Sequence, residues 1–411
     1  MSAPIYILGG SQTDFARNAA RQGEGLYELM RDAVHDALVD AKLEAGQIDA
    51  CHVGNFTGEL FAGQGQLGGM FAAIDPALYG KPAGRHEAAC ASGSIALLAA
   101  TAEIEAGRYD CVLVAGVELE RNVPGKQAAQ YLGAAMWVGT EGQEATYPWP
   151  SMFDRVAAEY QRRYGLDYKH LAAISELNIA NARRNPLAQT RGWQFTEASF
   201  TEDDQANPVI EGVVRRQDCA QVTDGASAVI LASEPFARDW AAARGLTLDD
   251  LPRIAGWGHR TAHLRLDEKL QMSRNSPYVF PHVRDTIQDA FRRAGIGDVF
   301  ALHGIETHDC FSPTEYMAID HFGITPPGES WRAVEGGDIA PGGRIPVNPS
   351  GGLIGVGHPV GATGVRMLND AARQVTSRSG DCQVEGARRF GTLNIGGSAT
   401  TVVSFIVERG A

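Results

Sequence analysis

The chain has 411 residues, of which 44% are hydrophobic and 21% charged, and its formal net charge is −13 at pH 7. This length exceeds what one hydrophobic core usually serves, so a soluble globular protein of two or three domains is expected. The acidic balance, without any long run of Lys and Arg, argues against nucleic-acid binding. No apolar stretch approaches the roughly 20 residues of a membrane span, and no secretory signal is visible, so we expect no membrane span.

Six cysteines are spread along the chain, and none of them form a C-x-x-C pair. This spacing argues against a zinc site. In a chain of this length, scattered cysteines are typical of reduced thiols in a cytoplasmic compartment. The sequence therefore predicts a cytoplasmic protein without a bound metal.

The first part of the chain alternates between predicted strands and predicted helices. Residues 24–43 carry apolar side chains at helical spacing, whereas residues 111–117 form a continuous apolar run, typical of a strand buried on both faces. In chain order the predicted elements are strand 5–9, helix 24–43, strand 52–54, helix 92–106 and strand 111–117. This alternation indicates an α/β architecture.

A change in composition separates the middle of the chain from its two ends. Aromatic, proline and charged residues become dense between residues 119 and 209. We interpret residues 119–209 as an inserted loop domain, residues 1–118 together with 210–251 as one α/β domain, and residues 252–411 as a second.

The second α/β domain repeats the order of elements of the first. Its predicted elements are strand 253–256, helix 283–294, strand 304–307, helix 361–375 and strand 401–407. Each half places a helix of small residues late in its unit, after an unusual turn. We therefore predict a weak internal duplication.

Cys90 lies in the segment EAACASGS, directly before the predicted helix 92–106. A thiol at a helix N-terminus meets the positive end of the helix dipole and unpaired backbone N–H groups. That position lowers the pKa of a thiol and favours the nucleophilic thiolate. The alternative is a small buried core cysteine, which is what most free cysteines are.

His358 lies in the segment GVGHPVGATG, directly before the predicted helix 361–375. Pro359 and the flanking glycines restrain the backbone, so the imidazole would be held in one place, where it can act as the base or ion-pair partner of a cysteine. The alternative is a hydrogen-bonded structural histidine. The spacing also matches G-x-G-x-x-G, but we reject a dinucleotide site because the segment lies late in the chain and no suitable acidic residue follows on a second strand.

Three titratable residues, His308, Asp309 and Cys310, directly follow the predicted strand 304–307. Such crowding in a short turn more often marks a site than a core. The alternative is that Asp309 caps the helix that comes next.

A glycine-rich turn, NIGGS at residues 394–398, precedes the last predicted strand. Its glycine pair can expose backbone N–H donors to an oxyanion. The alternative is a β-bulge or a tight bend. Two cysteines and one histidine, each on a glycine-rich or strained turn at a strand end, together favour a catalytic site.

With these segments the sequence resembles the thiolases over nearly its whole length. The resemblance rests on CAS at Cys90, the strand 111–117 followed by Glu118, TDGA at 223–226, GHP at His358 and the glycine-rich C-terminal turn. Most thiolases carry Asn-Glu-Ala-Phe where this chain has HDCF at 308–311. With this motif the sequence resembles the branch of the family that contains the thiolase half of sterol carrier protein X.

The resemblance implies a thiolase fold, a duplicated five-layered αβαβα arrangement with an inserted loop domain. Cys90 and His358 would begin equivalent helices of the two halves. Such enzymes are usually homodimers or homotetramers. No metal and no permanently bound cofactor is implied, because coenzyme A arrives with the substrate.

The resemblance also assigns roles to the site residues. Cys90 is implied as the nucleophile and His358 as a second catalytic residue. Degradative and biosynthetic thiolases end in a C-x-G motif whose Cys is the acid/base, and Asn394 stands at that place here. In the sterol-carrier branch the Cys of the HDCF motif takes over, which implies Cys310 as the acid/base. The oxyanion sites are expected to involve His308, Gly396 and Asn394.

The implied function is that of an acyl-CoA C-acyltransferase acting through an acyl-Cys90 intermediate. It would cleave 3-oxoacyl-CoA with coenzyme A, or form it by Claisen condensation. One alternative is a condensing enzyme of the same fold, of the 3-hydroxy-3-methylglutaryl-CoA synthase or ketosynthase type. The other is a thiolase-like or aldolase subunit that needs a small OB-fold or zinc-ribbon partner. The presence of both thiols and the histidine favours catalysis.

Overall fold

The computed structural model describes residues 4–410 as a mixed α/β protein built around one nine-stranded sheet. The strands of the protein are β1 Ile5–Gln12, β2 Ala50–Gly54, β3 Ala83–His86, β4 Cys111–Glu118, β5 Val209–Glu211, β6 Val214–Arg215, β7 Gly225–Ser233, β8 Pro252–Thr261, β9 Gly304–Thr307, β10 Arg389–Gly396 and β11 Thr401–Arg409. Strands β5 and β6 form a separate two-stranded sheet, and the others form the nine-stranded sheet. The α-helices of the protein are α1 Leu26–Ala41, α2 Gly58–Ala62, α3 Phe71–Ile74, α4 Ser92–Glu105, α5 Gly125–Leu132, α6 Pro148–Tyr164, α7 Tyr168–Ala182, α8 Glu234–Ala242, α9 Leu266–Met272, α10 Pro281–Ala294, α11 Ser312–Phe322, α12 Ser330–Glu335, α13 Gly352–Val356 and α14 Val360–Val375.

The strand order repeats itself on the two sides of the sheet, which runs β3-β2-β4-β7-β1-β8-β11-β10-β9. In the first half β1–β7 and β7–β4 are antiparallel and β4–β2 is parallel. In the second half β8–β11 and β11–β10 are antiparallel and β10–β9 is parallel. The halves meet where β1 and β8 share two residue pairs, Ile5–Ile254 and Tyr6–Arg253. The predicted internal duplication is therefore confirmed at the level of the backbone.

Three apolar layers separate the helices from the two halves of the sheet. Helices α1 and α8 pack on the outer face of the first half, and α10 packs on the outer face of the second. Helices α4 and α14 lie between the halves and contact strands of both. The predicted five-layered αβαβα arrangement is confirmed by this packing.

The two central helices approach each other closely because small residues face each other at their starts. A Cβ at Gly93 would lie 2.6 Å from the carbonyl oxygen of Gly361, and a Cβ at Gly364 would lie 2.5 Å from the backbone nitrogen of Ser94. A side chain at either glycine would push the helices apart. This crossing brings the N-terminal ends of α4 and α14, and therefore Cys90 and His358, to one place.

The segment between β4 and β7 is mostly helical, with α5, α6, α7 and the small β5–β6 hairpin. Its aromatic residues pack with residues of the second half in one continuous apolar cluster. Phe153 on α6 stacks on Phe311, with ring centroids 4.2 Å apart. The proposed boundaries of an inserted loop domain stay a prediction, but this segment shares its core with the second half.

Asn394 lies on a strand and not in the predicted turn. It belongs to β10, every residue of which after Arg389 is buried between β9 and β11. Glycine and polar residues within the sequence RFGTLNIG hide the pattern of a buried strand, and the turn begins only after Gly396. Among residues 4–410, none of the helices combines the length and the apolar character required to cross a lipid bilayer.

Candidate active site

Cys90 lies on a sharp turn at the start of α4. One turn of 3-10 helix, Ala89–Ala91, precedes the α-helix, and Ala89 adopts a positive φ of 49°, which is uncommon for a residue with a side chain. The Ser92 hydroxyl accepts a hydrogen bond from the Ala88 N–H at 2.9 Å and donates one to the Ala89 carbonyl at 2.6 Å. These contacts stabilise the strained backbone conformation at Ala89. The Cys90 thiol on this turn is buried, with 2% exposure.

Cys90, His308 and His358 form one buried cluster. One ligating atom of each, the thiol sulfur or an imidazole nitrogen, lies within 4.8 Å of the other two. The imidazole centroids are 5.2 Å apart with the rings nearly perpendicular, at 83°. His308 and His358 follow Cys90 by 218 and 268 positions in the chain. The three residues meet because β9 ends, and α4 and α14 begin, at the same point of the fold.

His358 is held in a defined orientation by two threonines. Its backbone N–H donates to Thr223 Oγ1 at 2.9 Å, and its Nδ1 lies 2.7 Å from Thr363 Oγ1. The Thr363 hydroxyl donates to the Pro359 carbonyl at 3.1 Å, so the hydrogen-bond network assigns the imidazole proton to Nδ1. Nε2 has no hydrogen-bond partner in the described residues, and burial lowers the pKa of His358 to about 3. A neutral imidazole with a free Nε2 lone pair therefore faces the cluster.

His308 has the opposite tautomer. The Ser94 hydroxyl lies 2.7 Å from Asn394 Oδ1, which leaves the Asn394 amide nitrogen to donate to the Cys90 carbonyl at 3.1 Å and to His308 Nδ1 at 3.2 Å. Because Nδ1 accepts, the proton of the neutral ring is on Nε2. This Nε2 has no partner in the described part of the chain, and burial lowers the pKa of His308. His308 therefore presents an N–H donor where His358 presents an acceptor.

The expected lowering of the Cys90 pKa by the helix dipole is wrong for the substrate-free protein. Burial is the largest influence and raises the pKa of Cys90, and the carboxyl of Glu120 raises it further. The backbone N–H of Gly397 hydrogen-bonds to the thiol and acts in the opposite direction. The resting group is therefore a thiol that needs a base, and His358 Nε2 is the neighbouring acceptor.

The glycine-rich turn contacts the nucleophile turn directly. A Cβ at Gly396 would overlap the carbonyl oxygen of Ala88 and approach Ala91 Cβ to 3.0 Å. Gly397, with φ +64°, then turns its N–H toward Cys90. Both glycines are needed to bring a backbone donor to the thiol. The sequence predicted N–H donors from this glycine pair and named Gly396 for the oxyanion site, whereas the N–H of Gly397 is the one directed at the thiol.

Cys310 lies beside the cluster, buried to 2% exposure. Burial raises the pKa of its thiol, and the neighbouring Cys90 is the next largest cause. Its sulfur lies 3.9 Å from Thr314 Oγ1. The two thiols are thus close enough to influence each other, although Cys310 does not belong to the cluster of Cys90, His308 and His358.

Asp309 caps a different helix from the one that directly follows it. Its two carboxylate oxygens accept from the N–H of Leu353 at 2.6 Å and of Ile354 at 3.1 Å, at the start of α13, and from Asn178 Nδ2 at 2.9 Å. The suggestion that Asp309 caps α11 is wrong. Within the HDCF motif, His308 therefore belongs to the cluster, Asp309 anchors the segment before His358, and Cys310 lies near Cys90.

Two buried acids that sequence reasoning did not assign to the site hold the start of α14. Glu118 Oε2 accepts from the Gly361 N–H at 3.0 Å, and Glu120 Oε1 accepts from the Val360 N–H at 3.1 Å. Both side chains are at most 1% exposed, and burial raises the pKa of each. The pair E-x-E directly after a buried strand was the only signal in the sequence.

The spacing of the three clustered atoms would also allow a metal ion. Thiolate and imidazole are ligands that Zn²⁺ prefers. However, the tautomer of His308 points an N–H and not a lone pair into the cluster. The hydrogen-bond network thus fits proton transfer and oxyanion binding better than metal binding.

A pocket of about 310 Å³ opens at Phe311, next to Cys310. Its walls come from the segment between β4 and β7, including Trp149 and Val222, and Lys126 and Arg216 provide positive charge. The pocket therefore combines an apolar surface that reaches Phe311, the neighbour of Cys310 in the chain, with two cationic side chains.

A duplicated sheet with a buried cysteine and histidine at the starts of its two central helices defines a thiolase-like protein. Residues 5–160 match the family described as "Thiolase, N-terminal domain", and residues 266–409 match "Thiolase C-terminal domain-like". The acetyl-CoA acetyltransferase of Methanothermobacter thermautotrophicus is 31% identical over 407 residues, covering 98% of this chain and 99% of that protein. The chain belongs to the thiolase family.

Two further similarities locate the chain within that family. Sterol carrier protein 2 of Homo sapiens is 27% identical over 97% of this chain and 71% of its own length, which agrees with the branch indicated by the HDCF motif. The solved structure of the "Ltp2-ChsH2(DUF35) aldolase" superposes with a TM-score of 0.77 at 21% identity, covering 99% of this chain and 98% of that one. The latter similarity shows the fold alone.

Proposed function

We propose that the protein is an acyl-CoA C-acyltransferase that cleaves 3-oxoacyl-CoA with coenzyme A, or forms it by Claisen condensation, through an acyl-Cys90 thioester. The observation that carries the proposal is the Cys90–His308–His358 cluster, in which a thiol faces one free imidazole acceptor and one free imidazole donor. Acyl transfer through a thiol needs both a base and an oxyanion donor. The acetyl-CoA acetyltransferase relative supports the same reaction class.

In the cleavage direction, His358 Nε2 takes the Cys90 proton and the thiolate attacks the 3-keto carbon. The C2–C3 bond then breaks, and the electron pair passes to the CoA thioester as an enolate. Cys310 gives its proton to C2, which releases acetyl-CoA or a substituted homologue. The Cys310 thiolate then takes the proton of the free CoA thiol, whose sulfur attacks the acyl-Cys90 thioester. The proton held on His358 returns to the departing Cys90 sulfur, so both thiols are restored. Condensation follows the same steps in reverse.

Two sets of donors stabilise the oxygens that gain charge. The Gly397 N–H, which hydrogen-bonds to the Cys90 sulfur, is the donor for the tetrahedral oxygen formed on the attacked carbon. His308 Nε2–H is the donor for the enolate oxygen of the thioester. Each donor of this kind is worth about 3 kcal/mol of barrier. Asn394 has both polar atoms engaged within the protein, so we assign it the positioning of His308 and not direct oxyanion binding.

The pocket at Phe311 is proposed to admit the acyl-CoA. Its apolar lining suits the acyl chain or the pantetheine arm, and Lys126 and Arg216 suit the phosphates of CoA in an otherwise acidic protein. Coenzyme A enters as a co-substrate in this scheme.

The two alternatives make different use of the same site. A condensing enzyme of the synthase type would acylate Cys90 but would not return the acyl group to CoA. An aldolase subunit would break its carbon–carbon bond without any acyl-cysteine, and could require a small partner protein. The pairing of Cys90 with a free base favours the thiolase reaction over the aldolase reaction.

We also propose a homodimer in the cytoplasm. Strand β3 is an edge strand of the sheet, bonded on one side to β2 within the described residues, and its residues are exposed or half-buried. An open edge of this kind can pair with a second copy. All six cysteines are free thiols, which is typical of a reducing compartment. Light scattering of the pure protein measures the assembly.

The experiment that tests the function follows acetyl-CoA formation from acetoacetyl-CoA and free CoA. Turnover should be lost in Cys90→Ala and in Cys310→Ala, and kept in Cys51→Ala, a buried cysteine in the outer layer of the first half. Mass spectrometry should detect an acyl adduct on Cys90. An active wild type that forms no adduct would contradict acyl transfer through Cys90.

A further inference from the structure

A second pocket, of about 550 Å³, lies where α7 and α14 end, and it is unusually rich in arginine. Five arginines and two aspartates line it, an excess of three positive charges. The arginines are Arg183, Arg184, Arg191, Arg373 and Arg378. The whole chain carries a net charge of −13, so this pocket has the opposite sign from the protein around it.

Two of the five arginines are paired with carboxylates outside the pocket lining. Arg191 donates from both terminal nitrogens to Asp14, at 2.7 and 2.8 Å, and Arg378 donates to Asp40 at 3.0 Å. These two ion pairs fix the loop after α7 and the turn after α14 onto the first half of the fold. With Asp14 and Asp40 counted, the excess of positive charge at the pocket falls from three to one, which is still the opposite sign from the whole chain.

The other three arginines, Arg183, Arg184 and Arg373, have no carboxylate partner among residues 4–410. Arg184 donates to Asn181 Oδ1 at 2.7 Å and to the Asp381 carbonyl at 3.3 Å, and Arg373 donates to the Gly10 carbonyl at 3.2 Å. Each contact orients a guanidinium without neutralising it. Neighbouring cations that are oriented but not neutralised form a binding site for an anion.

The surrounding backbone explains how the fold tolerates this excess charge without a ligand. Both α7 and α14 direct their carboxyl ends to the pocket, and the partial negative charge of a helix C-terminus stabilises nearby cations. That effect is worth about 0.3–1 kcal/mol per cation, which holds the arginines in place but does not replace a full counter-charge. The Ser379 hydroxyl, which also lines the pocket, is without a hydrogen-bond partner in the described residues.

We propose that this pocket binds a phosphorylated small molecule, held through a diphosphate or a comparable pair of anionic groups by Arg184 and Arg373 with Arg183 at the entrance. Guanidinium groups bind phosphate oxygens in bidentate fashion, and a volume of this size holds a nucleotide-sized ligand. Pro186 and Leu187 provide an apolar wall for the uncharged part.

The pocket is separated from the Cys90 cluster by the loop that also supports the His358 turn. The backbone N–H of Gln189 donates to the Val356 carbonyl at 2.8 Å, and that of Thr190 donates to the Gly355 carbonyl at 3.2 Å. The other side of this loop forms the wall of the arginine pocket. The site is therefore distinct from the pocket at Phe311, and its test needs no catalytic activity.

Isothermal titration with inorganic pyrophosphate tests the proposal on the full chain. We expect saturable binding that weakens at least tenfold in Arg184→Ala and in Arg373→Ala, and that weakens as salt is added. Arg238→Ala, which removes an exposed arginine paired with Glu234 on α8, should bind as the wild type does. Arg183→Glu, at an exposed position, should also weaken binding without affecting folding.

Absence of saturable binding in the wild type, or equal affinity in all variants, would overturn the proposal. A competition with CoA identifies the source of the anionic group. Displacement of pyrophosphate by CoA from the wild-type protein would show that the diphosphate belongs to the co-substrate. Binding of pyrophosphate that CoA does not displace would show a separate phosphorylated ligand.

Discussion

The side-chain amide of Asn394 donates a hydrogen bond to His308 Nδ1 at 3.2 Å, and the same nitrogen donates to the Cys90 carbonyl at 3.1 Å. One amide on β10 thus sets the tautomer of a histidine after β9 and holds the turn that carries the nucleophile. Its own orientation is set by the Ser94 hydroxyl on α4. The proton position on His308 is therefore decided by three elements that are far apart in sequence.

Asn394→Asp is expected to reverse that tautomer. A carboxylate only accepts hydrogen bonds, so it would draw the His308 proton to Nδ1 and remove the N–H that we assign to the enolate oxygen. Loss of one such donor lowers kcat about 10²- to 10³-fold. Steady-state kinetics should show this loss with a small change in KM. Ser94→Ala, which removes only the group that orients Asn394, should have a milder effect, and an unchanged kcat in Asn394→Asp would refute the assignment.

Cys310→Ala is expected to separate proton transfer from acyl transfer. Acetylation of Cys90 by acetyl-CoA requires the Cys90 thiol and its base, so the adduct should still form in this variant. Exchange of the acetyl-CoA methyl protons with deuterated water requires the second thiol and should be lost, with overall turnover reduced about 10²- to 10⁴-fold. Mass spectrometry and NMR measure the two steps independently. Retention of exchange in Cys310→Ala would assign the acid/base to another group.

Lys269 is expected to hold the glycine-rich turn in place. Its ammonium is buried and donates to three acceptors: Ser398 Oγ at 2.8 Å, Thr400 Oγ1 at 2.9 Å and the Leu264 carbonyl at 3.3 Å. Burial lowers the pKa of Lys269 to about 7, and Glu141 acts in the opposite direction. Activity should therefore decline as the pH rises through about 7, where the third donor hydrogen is lost.

Two variants distinguish the charge of Lys269 from its packing. Lys269→Arg keeps a cation that does not titrate in this range, and it should abolish the decline. Lys269→Met should lower kcat about tenfold at every pH, because the turn loses its donor. His282 also contacts this turn, through Nε2 and the Ala399 carbonyl at 2.7 Å, but burial lowers its pKa to about 4, outside the range measured.

The same pKa predicts how stability depends on pH. The pKa of Lys269 is lower in the folded protein than its ordinary value of 10.5, so folding favours the neutral amine. The resulting contribution to the free energy of unfolding is present above about pH 10.5 and is lost as the pH falls through about 7. Between pH 7 and 10, the free energy of unfolding measured with urea should rise more steeply with pH in the wild type than in Lys269→Met. Equal slopes would show that Lys269 titrates normally.

Gly396→Ala is expected to displace the nucleophile turn. The new Cβ would overlap the Ala88 carbonyl, directly before the buried turn Ala89–Ala91. Overpacking of this kind typically costs about 1–3 kcal/mol of stability. Thermal unfolding and kcat should both fall, whereas Gly297→Ala, with no atom within 4 Å of its Cβ, should leave both unchanged. Full activity in Gly396→Ala would show that the turn adapts.

Much of the architecture was readable in the sequence because its signals are local. The apolar run at 111–117 and the helical spacing at 24–43 correspond to β4 and α1 with small differences at their ends. The order of elements also indicated the duplication, which the sheet confirms. In contrast β10 was missed, because Gly391 and Asn394 interrupt the apolar pattern of a strand that is buried through its neighbours.

The sequence by itself determined which residue types the site contains: a cysteine and a histidine on restrained turns before two helices, a second cysteine, and a glycine pair. Only the tertiary structure decided the protonation of these groups. Burial reverses the expected lowering of the Cys90 pKa, and contacts from Asn394 and Thr363 give the two histidines opposite tautomers. Desolvation and hydrogen-bond direction depend on what surrounds a side chain in space. Asn394 is 86 positions from His308, and Ser94, which orients its amide, is 300 positions from Asn394.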